Sequence, residues 1–262
     1  MSTPTISAPD KASIAPPQRR LAPHRRYAKK FLTLPDELLT TIADNVAPED
    51  LANFRLTCKT LANIAARHFG QKRLAHRRFI FTTYSLRGLV DMTANPVFGP
   101  CIKNIMFGTD CLTNQLDVLM SALKSHNITD PTEAMCVLQS YHERRAKRRA
   151  LLDSDIVDHM LARAFTNLSS YGTNVSLGIF NDVQKHRREE VLTLGYGSSR
   201  EYGNLPFVRL KKLNGFTLGT IRAACRTANF RPELYELDLN SQRKYAVMDD
   251  ALSRLLLEDQ QV

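Results

Sequence analysis

Few side chains in this 262-residue chain fall at spacings that chemistry requires. Asp155 and His159 lie four apart, on one face of any helix that carries them, but no Cys or second His joins them as a metal set. Gly195-Tyr196-Gly197 lacks the third glycine and the following Lys-Ser/Thr of a phosphate loop, so it reads as a turn. Ser, His and Asp are plentiful without a nucleophile elbow. The five cysteines, Cys58, Cys101, Cys111, Cys136 and Cys225, are scattered and form no CxxC pair, which suits buried thiols in a reducing compartment. No catalytic residue, metal site or cofactor is expected, and neither is an enzyme. The most distinctive charged feature is Arg144-Arg145-Ala146-Lys147-Arg148-Arg149. At helical spacing these charges point all round, so a solvated helix end is expected. Arg144, Arg145, Arg148 and Arg149 are nonetheless the candidates for contact with an acidic or phosphorylated target, because guanidinium pairs bidentately with phosphate. No aromatic residues are interleaved with the run, which argues against a nucleic-acid partner.

The elements that would position such groups begin with Phe31 to His68. Pro35 opens a first helix, with Asp36 and Glu37 in its first turn, where the helix dipole favours acids. Leu38, Ile42 and Val46 recur every fourth residue as an apolar stripe, with Leu39 beside it. Pro48, Glu49 and Asp50 repeat the device ahead of Leu51 and Phe54. Thr57 is positioned to cap a third helix carrying Leu61 and Ile64.

The order of these residues resembles an F-box. Leu34-Pro35-x-Glu37-Leu38-Leu39-x-x-Ile42 is followed by Asp50-Leu51-x-x-x-Arg55-Leu56-x-Cys58-Lys59-x-Leu61-x-x-Ile64-Ala65, all at family spacing. Leu61 stands where many members carry Trp, a change often met in the filamentous-fungal type. The resemblance implies a substrate-recognition adaptor subunit of an SCF-type cullin–RING ubiquitin ligase, which binds a Skp-type adaptor and, through it, cullin. It implies that Leu34, Pro35, Leu38, Ile42, Leu51, Leu56, Cys58 and Leu61 are adaptor-facing or module-core positions. The transfer chemistry would occur on other subunits. The rival reading is a basic nuclear or RNA-associated binding protein that uses the helices only as scaffold.

Composition bounds both readings. Hydrophobic content of 43% supports a core. Of the net charge of +10, +6 lies in residues 1–30, so basicity is largely a property of that segment. Its prolines and sparse apolar residues predict a disordered basic tail over 1–30, with Arg19 to Lys30 resembling a nuclear import signal. A cytoplasmic or nuclear protein follows. No apolar run approaches a membrane span, so no membrane partner is expected.

The expected fold is α+β: a three-helix F-box at 31–70, then an irregular, helix-rich, leucine-rich-like α/β region over 75–262 that binds the target. Phe79-Ile80-Phe81 and Ile102 to Phe107 read as strands flanking a helix capped by Ser85. Leu116, Leu119, Met120 and Leu123 make one apolar helix face, and Ala134, Val137, Leu138 and Tyr141 make another. Ile156, Met160, Leu161 and Phe165 belong to a third helix. Val175, Leu177 and Ile179 alternate as a strand, Leu205 to Leu213 is another candidate, and Leu234-x-x-Leu237-x-Leu239 has the leucine spacing of a repeat strand after a helix near 218–228. A last helix is expected over 246–257.

Overall fold

The computed structural model describes residues 31–113, 115–185, 191–202, 205, 210–239 and 242–246. The tail at 1–30 and the closing helix expected beyond Ala246 lie outside them.

The N-terminal module consists of α1 (Asp36–Asn45), α2 (Leu51–Thr57), α3 (Lys59–Ile64) and a short α4 (Ala66–Phe69), which runs into a π-helical turn at Gly70–Leu74. Pro35 occupies the N-cap of α1. Thr57 does not cap α3: its hydroxyl donates to the Phe54 carbonyl, 2.7 Å away, and the extended Cys58 takes the cap position instead. Thr57 is still the last residue of α2, one position before the cap.

Four strands of the central sheet follow one another in space as they do in the chain. β1 (His76–Phe79), β2 (Asn104–Gly108), β4 (Ser176–Phe180) and β8 (Tyr235–Leu239) are parallel neighbours, and β9 (Gln242–Ala246) closes the far side antiparallel. Parallel pairing needs a crossover, and helices supply it. α5 (Thr83–Ala94) links β1 to β2, α8 (Ile156–Ser170) precedes β4, and α10 (Asn214–Thr227) precedes β8. α8 packs between α5 and α10. The N-cap of α5 is Thr82 and not Ser85. Thr82 Oγ1 accepts from the Ser85 amide at 3.2 Å, while Ser85 Oγ accepts from the Ile80 amide at 3.1 Å. Ser85 is thus the third residue of the helix, tying it back to the end of β1.

Alternation along the strands sends side chains to two cores. Phe79, Ile105, Phe107, Leu177, Ile179 and Leu237 pack against α5, α8 and α10. Phe107 meets Phe165 of α8 edge-on, at 6.4 Å between centroids. Met106 and Phe180 point the other way, into a second core. That core is built by α6 (Leu116–Ser125), α7 (Pro131–Leu152) and Tyr202 of the short α9 (Ser198–Tyr202). The clean one-sided alternation expected around Val175 therefore does not hold. Both faces of β4 are buried, and the strand reads as a near-continuous apolar run.

Two antiparallel pairs flank the sheet. β3 (Asp110–Leu112) pairs with β7 (Leu210–Lys212), and β5 (Val183–Lys185) with β6 (Val191–Thr193). On the outer side of β1, the Tyr196 amide donates to the Arg78 carbonyl at 2.6 Å, and Tyr196 forms a single parallel bridge with Phe79. Helices and strands thus mix behind an N-terminal helical module, an α+β arrangement.

Candidate functional site

α7 carries the basic run. Asp130 caps it by accepting from the Glu133 amide at 3.0 Å, and Pro131 starts its first turn, where a missing N–H costs nothing. Twenty-two residues make a rod about 33 Å long. Tyr141, Arg148 and Leu151 are its buried positions.

Arg148 is therefore not part of a solvated helix end. It is 3% exposed. Seven residues beyond Tyr141, it falls on the same inward stripe. Its guanidinium donates through Nη1 to the Tyr202 hydroxyl and through Nη2 to Asp182 Oδ2 at 3.4 Å. The Tyr202 hydroxyl also donates to Asp182 Oδ2, at 3.2 Å. Asp182 and Asp110 exchange bonds: the Asp110 amide donates to Asp182 Oδ1 at 3.3 Å, and the Asp182 amide to Asp110 Oδ2 at 2.7 Å. Gly108 makes room for this, since a Cβ there would sit 1.9 Å from Asp182 Oδ1. Burial pushes the Asp182 carboxyl up to about 7, against the pull of Arg148. Burial also opposes the charge on Arg148, but Tyr202 and Asp182 outweigh it and hold the guanidinium above its ordinary value.

The other three arginines behave differently. Arg144 donates through Nη1 to the carbonyls of Arg200 and Glu201, fastening α9 to α7. Arg149 is exposed and pairs along the helix with Asp153 at 3.2 Å. Arg145 is half-buried and lines a smaller cavity with Arg149, Leu152 and Phe216. The run is thus divided between structure and surface. Asp110, Asp182 and Tyr202 carry no local signature, whereas Arg148 could have been found by extending the Ala134–Tyr141 stripe.

In the N-terminal module the sequence motif separates into two sets. Leu51 and Leu61 are buried, with Leu39, Ala43 and Ala65, and form the module core. Leu38 is 51% exposed, Ile42 36% and Leu56 82%. Pro35 is also exposed, and Leu34 and Cys58 are half-buried. Leu38 and Ile42, four apart on α1, share one outward face. The inward stripe of α1 is Leu39 and Ala43, one residue out of phase with the stripe expected from Leu38, Ile42 and Val46. A residue outside the expected site joins the module to the sheet region. The Arg55 guanidinium lies 4.4 Å from the Phe69 ring centre and 5.1 Å from that of Phe98, and its Nε donates to the Ala62 carbonyl. Gly70 packs so closely on Cys101 that a Cβ would stand 2.8 Å from Sγ.

Among the described residues no three or more His, Cys, Asp or Glu gather as a metal site, and His159 meets Asp155 only through its backbone amide. None of the five cysteines forms a disulfide. Among the described residues no helix is long and apolar enough to cross a membrane.

No curated protein and no solved structure matches the chain. The F-box domain family matches residues 31–69, the segment of α1 to α4 with its buried Leu51 and Leu61 and its exposed Leu38, Ile42 and Leu56. Residues 31–69 thus form an F-box domain, and a mixed helix-and-strand region follows it.

Proposed function

We propose that this protein is the substrate-recognition subunit of an SCF-type ubiquitin ligase, docking on a Skp-type adaptor through its F-box and holding a target on the region after residue 75. The observation that carries the reading is the exposure of Leu38, Ile42 and Leu56 within the F-box match. A small domain that leaves large apolar side chains in water gains by covering them, and a protein partner covers them. Pro35, Leu34 and Cys58 extend this contact set, while Leu51 and Leu61 hold it in shape from inside. Cullin is reached through the adaptor. Target choice falls to the sheet region, whose strands follow in chain order with helices between them, as in a short leucine-rich-like array. Such a subunit works by raising the local concentration of one protein near another and needs no acid, base or nucleophile of its own.

The rival reading, a basic RNA-associated protein, loses support from the basic run. Arg148 is buried against Asp182 and Tyr202, and Arg149 is paired with Asp153. The segment Arg19 to Lys30 remains a proposed nuclear import signal.

Co-expression with a Skp-type adaptor tests the assignment. A stable complex that survives gel filtration is the expected result. A wild-type chain that fails to capture the adaptor sinks the proposal.

A further inference from the structure

A cavity of about 600 Å³ lies between the N-terminus of α5, the middle of α7 and the start of α9. Arg87, Arg144, Lys147, Arg148 and Arg200 line it, against only Glu143 and Glu201 as carboxylates. Burial raises the Glu201 carboxyl above its ordinary value, against the pull of Arg148, Arg144 and Lys147. The cavity is thus cationic even with Arg148 paired to Asp182, with cations contributed by three separate helices.

Two further features point to an anion. α5 is twelve residues long and begins at the cavity wall. Thr82 satisfies the Ser85 amide, but the amides of the first turn have no intrahelical acceptor, and the positive end of the dipole faces the same space. Independently, Arg148 lines the cavity and is all but inaccessible, and its Nε is buried without a hydrogen-bond partner. A buried guanidinium N–H without an acceptor is costly, so an acceptor supplied from outside stabilises it.

We propose that this cavity is a phosphate-binding site and that it takes a phosphoserine or phosphothreonine carried on a segment of the target. A phosphate monoester brings nearly two negative charges and three acceptor oxygens, which matches the excess of cations better than a single carboxylate does. Guanidinium groups pair with it bidentately. A nucleotide fits less well. Tyr84, the aromatic residue lining the cavity, is already stacked on Tyr196 at 5.2 Å and covered by the Arg200 guanidinium at 4.7 Å, leaving no face for a base. Arg87, Lys147 and Arg200 are exposed at the cavity, where a phosphate on an extended chain meets them first. The reading deepens the target-binding half of the proposed function and rests on it.

The test uses the full chain, its Arg87→Gln/Lys147→Gln variant and, as a second variant, Arg200→Gln. Inorganic phosphate is titrated against the melting temperature. In parallel, a degenerate phosphoserine/phosphothreonine peptide library and its unphosphorylated twin are passed over immobilised protein. The expected result is a phosphate-dependent rise in melting temperature, with the phosphorylated library retained about tenfold or more over its twin. Both effects should be lost in the double variant and weakened in Arg200→Gln, while adaptor capture is unchanged. An equal response to phosphate in wild type and double variant overturns the site. Phosphate binding without discrimination between the libraries overturns the target-segment source in favour of a free phosphorylated small molecule. Failure of adaptor capture in the wild type would strike the docking assignment alone, because the phosphate titration reads the cavity directly.

Discussion

The two halves of this chain break the rule of apolar inside and charged outside in opposite directions. The F-box domain keeps Leu38, Ile42 and Leu56 in water, whereas the sheet region seals Arg148, Asp182 and Asp110 within its second core. The first inversion costs the isolated chain little, because one exposed leucine is tolerable, and it leaves a surface to be covered by another protein. The second is tolerated only because every charge has partners, and it fixes α7 against the ends of β2 and β4. Exposed apolar groups thus mark where the protein is unfinished. Buried charges mark where its internal geometry is set most tightly.

The largest effect should come from breaking the buried pair on one side. Arg148→Ala leaves Asp182 without its counter-charge and should cost about 3–5 kcal/mol in urea unfolding. Combining Arg148→Met with Asp182→Asn should cost clearly less than Arg148→Ala, since Asp182 is then no longer a carboxylate stripped of its counter-charge. If the single and double changes cost the same, the network is not coupled and the contrast between the halves weakens.

A paired substitution in the F-box separates its two leucine sets. Leu61→Ala opens a cavity in the core and should lower stability by about 2–5 kcal/mol. Leu56→Ala, at a side chain 82% exposed, should change stability by no more than about 0.5 kcal/mol. It should still weaken adaptor binding by about 2 kcal/mol if Leu56 anchors the interface. Titration calorimetry with the adaptor, beside chemical denaturation, reads both quantities. Unchanged affinity would remove Leu56 from the contact set.

The third effect is a slope with pH. The Asp182 carboxyl, ordinarily near 3.8, is raised to about 7 in the folded protein by burial. The folded state therefore holds a proton between these values that the unfolded chain has released. The stability this contributes is complete below the unfolded value and is lost as pH rises through the folded one. Between about pH 4 and pH 7, wild-type stability should fall with rising pH relative to Asp182→Asn, which cannot titrate there. Parallel profiles for the two proteins would show that Asp182 is ionised throughout.

How much of this was legible follows from how local each signal is. The F-box could be read because its spacings span only about a helix turn or two each, and the order of strands and crossover helices followed from periodicity. The phase of α1 differs from the expected one because Leu38 and Leu39 both fit a four-residue repeat. The stripe that packs was settled by contact with α3, which the repeat alone does not encode. Arg148 departs from the expected solvated end because its position outweighs its residue type: the seven-residue step from Tyr141 places it inward. Its partners could not be read at all. Asp182 lies 34 residues away and Asp110 a further 72 from Asp182, and nothing in their neighbours announces the meeting.

The outer side of β1 has a consequence for how molecules of this protein meet one another. A parallel sheet that ends in a free strand offers a row of unpaired amides and carbonyls to any passing chain, a route to self-association. β1 closes that route by three means. It is only four residues long, and Arg77 beside Arg78 puts positive charge where a second copy of the same strand would lie. Tyr196 then occupies the Arg78 carbonyl and bridges Phe79, so part of the edge is already paired within the molecule. The turn at Gly195-Tyr196-Gly197, which carries no chemistry of its own, thereby acts as a guard against aggregation at the β1 edge of the sheet.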